Sequence, residues 1–566
     1  MTKIYGFKRD FYNEVKNGID NTHVLFLIGP RKTGKTICLY QIGNDWNRDV
    51  RYIDFKKIKS DDDKIDILNE ITDSIKDNKD ILYLLDEFTY ILYPASSVEA
   101  IANAISEDIA KGYRTIKTKV IITGSQSVAL ESWAYRSFAG NCGIVYTDFL
   151  SYREWLRYCG RDDISEESYM DFLYRVHEFY QFDMKDEYNA IEEYLQGCLN
   201  ETVISNQNSE NMLFGNNIDD ITVDTLLQVL YVSLFTLHES VKYETMIAKD
   251  KLVRQIQFYF RELKPRLKQK EIIERISDSI VNAYQNIKSR NEIEIERAVL
   301  FLMRINLLTV TPIVGSAMGV PNIKNRLIRE DGTLNFKDNL FESYNVCIRY
   351  PMFYVACLRD ILKERMPDVL PRDVLGRIVE CHVRGLLPNE GAFEFHDKVH
   401  YDKEVDYVNI SHGLAVESSI WNKPEIKTHF KDLPEPASHC DNILLSQDWE
   451  YVSRNNIINI PYYLFIYDIS NVSIQDVLNN ILNTEKMRKS IWRNITKEIE
   501  GLSYDDKNDK ITDFLCHPYI TKDNITNYID EAIQLEECDA EVTDLLDKIE
   551  EARPEMSSIV QEIRNR

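Results

Sequence analysis

The run Gly29-Pro30-Arg31-Lys32-Thr33-Gly34-Lys35-Thr36 combines two glycines, a lysine and a hydroxyl in the pattern G-x-x-x-x-G-K-[ST]. Glycines let the backbone curl so that successive N–H groups converge on an anion, and a helix starting at Thr36 would add its positive end. In this arrangement Lys35 reaches the β- and γ-phosphates of a nucleoside triphosphate, and the Thr36 hydroxyl is a ligand for Mg2+. The run Ile81-Leu82-Tyr83-Leu84-Leu85-Asp86-Glu87 brings an acidic pair to the end of an apolar segment about fifty residues on. Alone, such a pair is a solvated strand end. Beside a phosphate loop, Asp86 is placed to hold the Mg2+ through water and Glu87 to polarise the attacking water. A third apolar segment, Val120–Thr123, runs into Gly124-Ser125-Gln126, where Ser125 or Gln126 is a candidate sensor of the γ-phosphate; T-G-S is equally a common strand-to-turn exit. The expected cofactors are ATP and Mg2+.

These residues need a scaffold that brings separate chain segments to one edge. Val24–Ile28, Tyr52–Phe55, Ile81–Leu85 and Val120–Thr123 are short, continuously apolar runs separated by helix-like stretches. That alternation predicts an α/β parallel sheet covered on both faces, with the phosphate loop between the first strand and the helix Thr36–Ile42. Beyond residue 156 long helical patterns take over, such as Asp171–Glu193, Thr225–Leu237 and Glu292–Arg304. Ala298–Pro312 reads as a helix running into a strand, as at the wing of a winged-helix unit. Later, a helix over Asp373–Leu387 precedes strand-like runs at Phe393–His396, Glu404–Ile410, Leu414–Ser419 and Tyr462–Tyr467, and the tail ends in an acidic stretch, Leu535–Glu551.

A chain of 566 residues exceeds one hydrophobic core, so several domains are expected. No run reaches the roughly 18 apolar residues of a membrane span, and the polar start Met1–Asp10 lacks the apolar core of a signal peptide. Ten cysteines without C-x-x-C spacing suit reduced thiols, so a cytoplasmic location is expected. The net charge of −24 argues against a surface that coats nucleic acid throughout, though it leaves room for a local basic face. Lys251–Lys270 offers one: seven basic residues against the single acid Glu262, with Phe258, Tyr259 and Phe260 interleaved. It is read either as a DNA contact or as a solvated helix face interrupted by Pro265. His439-Cys440 and Cys516-His517 lack the spacing of zinc ligands. No G-x-S-x-G or H-E-x-x-H motif occurs.

The three N-terminal motifs resemble those of a family of bacterial and archaeal AAA-type P-loop ATPases that pair an N-terminal ATPase with a winged-helix linker and a C-terminal restriction-endonuclease-like domain. The likeness extends to Phe138-Ala139-Gly140-Asn141, to Phe149-Leu150-Ser151-Tyr152-Arg153-Glu154-Trp155, and to Tyr194-Leu195-Gln196-Gly197-Cys198-Leu199-Asn200-Glu201. It reaches Gly376-Arg377-Ile378-Val379-Glu380 and Glu404-Val405-Asp406-Tyr407-Val408, so its motifs span roughly residues 1 to 425. The family's arginine after A-G is Asn141 here; Arg136 is a substitute or a solvated helix charge. The resemblance makes Glu380, Asp406 and Glu417 a second candidate metal site. The lysine that such a nuclease site uses is replaced by Ser419, with Lys423 several residues further on.

The expected architecture is therefore an AAA-type P-loop ATPase domain over 1–155, a helical and winged-helix region over 156–320, an α/β endonuclease-like domain over 321–485 and a helical acidic tail over 486–566. The expected function is a nucleotide-dependent switch, with an ATP-regulated nuclease and an adaptor recruiting a partner protein as alternatives. Nothing in the sequence argues against assembly into oligomers.

Overall fold

A computed structural model describes residues 6–91, 93–110, 117–124, 127–138, 142–179, 190–207, 221–234, 267–315, 344–362, 372–396, 404–418, 429–430, 433, 437–447, 450–452, 457–469, 476–477, 484–499, 504–515, 520, 522–534 and 539–565. The chain forms two compact units, Met1–Pro312 with Lys324–Glu390, and Ile313–Ile323 with Gly391–Arg566.

The first unit begins with α1 (Phe11–Asn21), β1 (Val24–Ile28), α2 (Lys35–Asp45), β2 (Asp49–Asp54), α3 (Asp61–Lys76) and β3 (Ile81–Asp86). It continues with α4 (Pro94–Ala110), β4 (Lys119–Thr123), α5 (Ser127–Phe138) and β5 (Gly143–Tyr146). The five strands form one parallel sheet in the order β2-β3-β4-β1-β5. All five residues of β1 are buried because the sheet is covered on both faces. Val24, Phe26 and Ile28 pack with Ile122, Leu85 and the apolar sides of α4 and α5. Leu25 and Leu27 point the other way, onto Val15 and Ile19 of α1 and Leu39 and Ile42 of α2. The period-two alternation of a strand thus divides one apolar run between two cores. The predicted strands form with shifts of up to three residues at their ends; β5, a weak apolar signal of four residues, was not foreseen.

Among the described residues this unit continues with α6 (Tyr152–Cys159), α7 (Glu166–Phe179), α8 (Ala190–Gln207), α9 (Val223–Val232), α10 (Leu267–Ser289), α11 (Glu292–Arg304), β6 (Leu308–Gly315), β7 (Tyr344–Ile348), α12 (Pro351–Leu362) and α13 (Arg372–Leu386). The helix-into-strand reading of 298–312 is realised in α11 and β6, and β6 pairs antiparallel with β7 from Leu308↔Ile348 to Pro312↔Tyr344. Aromatic edges join the sheet exit to these helices: Phe149 packs against Tyr350 and Phe353, with ring centroids 4.7 and 5.1 Å away.

In the second unit, Ile313–Gly315 of β6 pairs with β8 (Phe393–His396), followed by β9 (Glu404–Asn409), β10 (Leu414–Ser418), β11 (Asp441–Ser446), β12 (Glu450–Val452) and β13 (Ile457–Pro461). The sheet is mixed, running β12-β13-β11-β10-β9-β8. The run Tyr462–Tyr467, expected as strand, belongs instead to a helix, α14 (Tyr462–Ile469). Its buried residues Tyr462, Phe465, Ile466 and Ile469 fall at i, i+3, i+4 and i+7, so helical spacing overrides the β-propensity of an aromatic and branched run. Helices α15 (Glu485–Glu498), α16 (Tyr504–Leu515), α17 (Lys522–Ile533), α18 (Asp539–Ala552) and α19 (Ser557–Arg564) follow, with Trp492, Phe514 and Tyr528 in mutual ring contact.

One buried polar contact ties α13 to α7. His382 Nδ1 lies 2.9 Å from the Tyr169 hydroxyl, and the two rings are nearly parallel. Burial, with Arg349 adding to it, lowers the His382 pKa from 6.5 to about 3. Between those values the unfolded chain binds the proton and the folded chain does not, so stability is present above pH 6.5 and declines as pH falls. The expected loss is up to about 1.4 kcal/mol for each pH unit below 6.5. Urea unfolding of wild type and His382→Gln at pH 7 and pH 5 checks this: the substitution should flatten the pH dependence, even where it lowers stability at pH 7.

Candidate functional site

All strands of the first sheet run parallel, so their C-terminal ends share one edge. The registers Leu27↔Thr123 and Leu85↔Ile122 put the exits of β1, β4 and β3 level with one another. Because β4 lies between the other two, Gly29 and the acidic pair stand two strand spacings apart, about 10 Å. That gap matches a polyphosphate with a cation beside it.

The phosphate loop has the geometry its sequence requires. Gly34 adopts φ 95°, in the left-handed region that glycine enters without strain, and forms the N-cap of α2. At Gly29 the constraint is proximity: a Cβ there would lie 2.1 Å from Thr147 Oγ1 and 2.2 Å from the Thr147 carbonyl oxygen. Lys35 is buried, with its ammonium donating to the carbonyls of Gly29 at 2.8 Å and Pro30 at 2.7 Å. The charge is therefore held within the curl of the loop. Thr33 is fully buried and its hydroxyl bridges the Pro30 carbonyl and Thr147 Oγ1. Lys32 takes φ 66°, and Thr36 is exposed at the first turn of α2. Arg31 extends to α8, where its Nη1 would lie 1.8 Å from a Cβ at Gly197; the flexible end of Arg31 makes that contact adjustable.

Asp86 is 3% exposed, and its carboxylate accepts hydrogen bonds from the Tyr52 hydroxyl at 2.8 Å and the Glu87 N–H at 3.0 Å. A carboxylate offers about four acceptor positions, so lone pairs remain for a cation or its water. Burial, reinforced by hydrogen bonds to Tyr40 and Asp86, raises the Tyr52 pKa far above its ordinary value and keeps it a donor. Glu87 sits at φ 48°, ψ 44°, a left-handed conformation that costs a non-glycine residue about 1–3 kcal/mol. Such strain gathers where a side chain must be aimed. With the Thr36 hydroxyl, Asp86 makes a donor set of hard oxygens, the chemistry that Mg2+ prefers.

Other expected residues fall elsewhere. Ser125, Gln126 and Asn141 lie outside the described residues, as do Ser419 and Lys423; Arg136 is exposed in the last turn of α5. Of the basic run Lys251–Lys270, only the backbone of 267–270 is described, as the start of α10. Glu380 belongs to the first unit, where Arg377 Nη1 at 2.5 Å and Arg384 Nη2 at 3.2 Å hold its carboxylate. Asp406 and Glu417 come together in the second unit on β9 and β10. Glu417 Oε2 accepts the Asp406 N–H at 3.2 Å, and Asp406 Oδ2 accepts the Ser418 N–H at 2.7 Å. His429 Nδ1 stands 3.5 Å from Glu417 Oε1. Among the described residues no group of three or more His, Cys, Asp or Glu is arranged to hold a metal ion.

Sequence reasoning passed over Arg9, Tyr52 and Thr147, which surround the loop and the acidic strand. Arg9 and Thr147 carry no motif, and Tyr52 lies in a run read only as a strand. A signal did exist at Ser151-Tyr152-Arg153-Glu154, an S-x-x-E capping box. The box forms: Glu154 N–H donates to Ser151 Oγ at 3.2 Å, and Ser151 N–H to Glu154 Oε2 at 3.1 Å.

Residues 21–156 match a family model described as an AAA domain. Together with the sheet order, this makes the N-terminal part a P-loop NTPase fold of the AAA type. No curated protein matches the chain. Among solved structures, a Walker-type ATPase of Pyrococcus abyssi aligns with 62% of this chain and 95% of its own at 12% identity and a TM-score of 0.31. The ORC2 protein of Aeropyrum pernix covers 64% of this chain and 97% of its own at 11% identity and 0.28, and AMPPCP-bound DnaA of Aquifex aeolicus 53% and 94% at 14% identity and 0.24. These likenesses are too slight to carry an argument. Among the described residues no helix is long and apolar enough to cross a membrane.

The Gly29–Thr147 contact gives a direct expectation. Gly29→Ala should destabilise the first unit by about 1–3 kcal/mol, the usual cost of overpacking. Adding Thr147→Ala should not restore the loss, because the backbone carbonyl would still collide with the new methyl. Urea midpoints of the single and double variants measure both effects.

Proposed function

We propose that this chain binds ATP with Mg2+ and hydrolyses it, and that nucleotide state switches what the rest of the chain binds. The observation carrying this reading is the placement of β4 between the loop strand and the strand ending in the buried Asp86 and strained Glu87. N–H groups across Gly29–Thr36 and the Lys35 ammonium hold the phosphates. Thr36 and Asp86 hold Mg2+, which would neutralise charge on the β- and γ-phosphate oxygens. Glu87 orients and polarises the attacking water, and Ser125 is the expected sensor of the γ-phosphate. The expected ATPase domain is 1–155, with a winged-helix region over 156–320, an endonuclease-like domain over 321–485 and a helical tail over 486–566. DNA engaged through Lys251–Lys270, or a partner protein, is what the switch acts on in this reading.

Two substitutions separate binding from chemistry. Lys35→Ala should abolish tight ATP binding, because it removes the charge that meets the ground-state phosphates. Glu87→Gln should bind ATP as wild type does but turn it over about 10²–10⁴-fold more slowly, the usual contribution of general base catalysis. Nucleotide titration and single-turnover hydrolysis read the two effects; wild-type turnover by Glu87→Gln would remove that residue from the mechanism.

For the second unit we propose that it does not cleave DNA. The carboxylates of Asp406 and Glu417 face each other's strand and accept backbone N–H groups there, while Glu380 is held by two arginines. Ser419 brings no charge to the position where a nuclease of this kind uses lysine, and a missing cation removes a large share of transition-state stabilisation. Plasmid incubated with the protein and Mg2+ or Mn2+ should stay supercoiled. Nicking that disappears in Asp406→Ala would establish the nuclease instead.

A further inference from the structure

The phosphate loop needs its N–H groups turned inward, and within it Lys35 and Thr33 reach the carbonyls of Gly29 and Pro30, at its start. The critical peptide joins Thr33 to Gly34. In a trans peptide the C=O of one residue and the N–H of the next point in opposite directions. The Gly34 N–H therefore points into the loop only while the Thr33 C=O points out of it. Rotating this peptide plane changes ψ of Thr33 and φ of Gly34 together. Gly34 does not resist, since glycine accepts φ of either sign. Something outside the loop has to fix the plane.

Arg9 is in position to do so. It lies in the short segment before α1, 7% exposed, and its Nη1 donates to the Thr33 carbonyl at 2.9 Å. Nη2 donates to the Asp148 carbonyl at 2.9 Å, just past β5. Nε and Nη2 donate to the two oxygens of Glu154 at 2.8 and 2.9 Å. The carboxylate is fixed in turn by the Asp10 N–H at 2.8 Å and by the capping box at the start of α6. Burial opposes the charge on Glu154, but Arg9 and these N–H donors outweigh it and leave the carboxyl pKa below its ordinary value. Nε and Nη2 are thus held by groups outside the loop, which aims Nη1 at the Thr33 carbonyl. A planar fork delivers this better than a lysine, which would present a single point of donation.

We infer that Arg9 is a positioning residue for nucleotide binding: through the Thr33 carbonyl it orients the Gly34 N–H toward the phosphates, with Glu154 as its anchor. The inference rests on the reading of Gly29–Thr36 as a nucleotide site. It assigns Arg9 no contact with the nucleotide itself.

The test uses the full chain in four forms, wild type, Arg9→Gln, Arg9→Lys and Glu154→Gln, with Lys35→Ala as a control for the site. Binding of ATP and ADP is followed by titration, thermal melting reports folding, and protein labelled with 15N-glycine reports the Gly34 amide resonance. Arg9→Gln should weaken both nucleotides about ten- to a hundredfold, as expected for loss of a charge-assisted hydrogen bond that organises the site. Arg9→Lys should recover part of that loss, and Glu154→Gln should fall between wild type and Arg9→Gln. In each variant the Gly34 amide should shift in rank order with the affinity. Folded Arg9→Gln and Arg9→Lys that bind like wild type, with an unmoved Gly34 resonance, would overturn the inference. If Arg9→Gln does not fold, Arg9→Lys and Glu154→Gln decide by the same two readouts. If wild type binds no nucleotide, or Lys35→Ala binds as wild type does, the nucleotide-site reading fails. The Gly34 resonance across the Arg9 variants then still decides whether this arginine orients the loop.

Discussion

The closeness of two strand exits constrains everything at the candidate site. Strand β5 pairs with β1, and the Thr147 N–H continues that ladder to the Ile28 carbonyl at 2.6 Å. This brings Thr147 against the first residue of the phosphate loop, where only a residue without a Cβ fits. The same threonine meets the buried Thr33 hydroxyl from outside. The loop's curl is thus set by a neighbouring strand as much as by its own glycines. A nucleotide loop must present N–H groups to the phosphates, and its carbonyls need donors of their own. Lys35 serves two of them from within, and Arg9 serves a third from without.

Sheet order then decides what can meet the phosphates. In a parallel sheet the loop and the acidic pair emerge on the same edge, and inserting β4 between them sets their separation. Asp86 remains buried because Tyr52 on β2 and the Glu87 N–H supply donors in place of water. Glu87 lies one residue beyond the strand in a left-handed turn, so its side chain leaves the sheet in a direction an extended residue could not take. The strand that carries it is paired on both sides, with β2 from Asp49↔Ile81 to Asp54↔Asp86 and with β4 from Leu82↔Lys119 to Leu85↔Ile122.

Much of this was legible in the sequence. Continuous apolar runs gave β1, β3 and β4, because strands buried on both faces contain no alternation to misread. The phosphate loop and Asp86-Glu87 announced themselves by residue type. Arg9 did not, since a lone arginine before a helix has no pattern, and its role depends on three segments more than a hundred residues apart in part. Tyr462–Tyr467 was misread because aromatic and branched residues suit strands, and the spacing of the positions buried in the helix Tyr462–Ile469 was the stronger signal. The grouping of Glu380 with Asp406 and Glu417 came from motif order. Order along the chain says nothing about the arginines that hold Glu380 in the first unit.

The carboxylates of the second unit have partners of their own. A carboxylate that binds Mg2+ must offer oxygens toward a common point, and any other donor that reaches it competes for the same lone pairs. Asp406 and Glu417 are each 6% exposed or less, and each accepts an N–H from the strand carrying the other. These cross-strand bonds do a structural task, because β9 and β10 pair antiparallel only from Leu414↔Asn409 to Val416↔Tyr407. Beyond Val416 the side chains take over from the ladder and continue the pairing. The two acids therefore help to hold β9 against β10. Their burial would be costly without those N–H donors, which is why each accepts one from the other's strand at the point where backbone pairing stops.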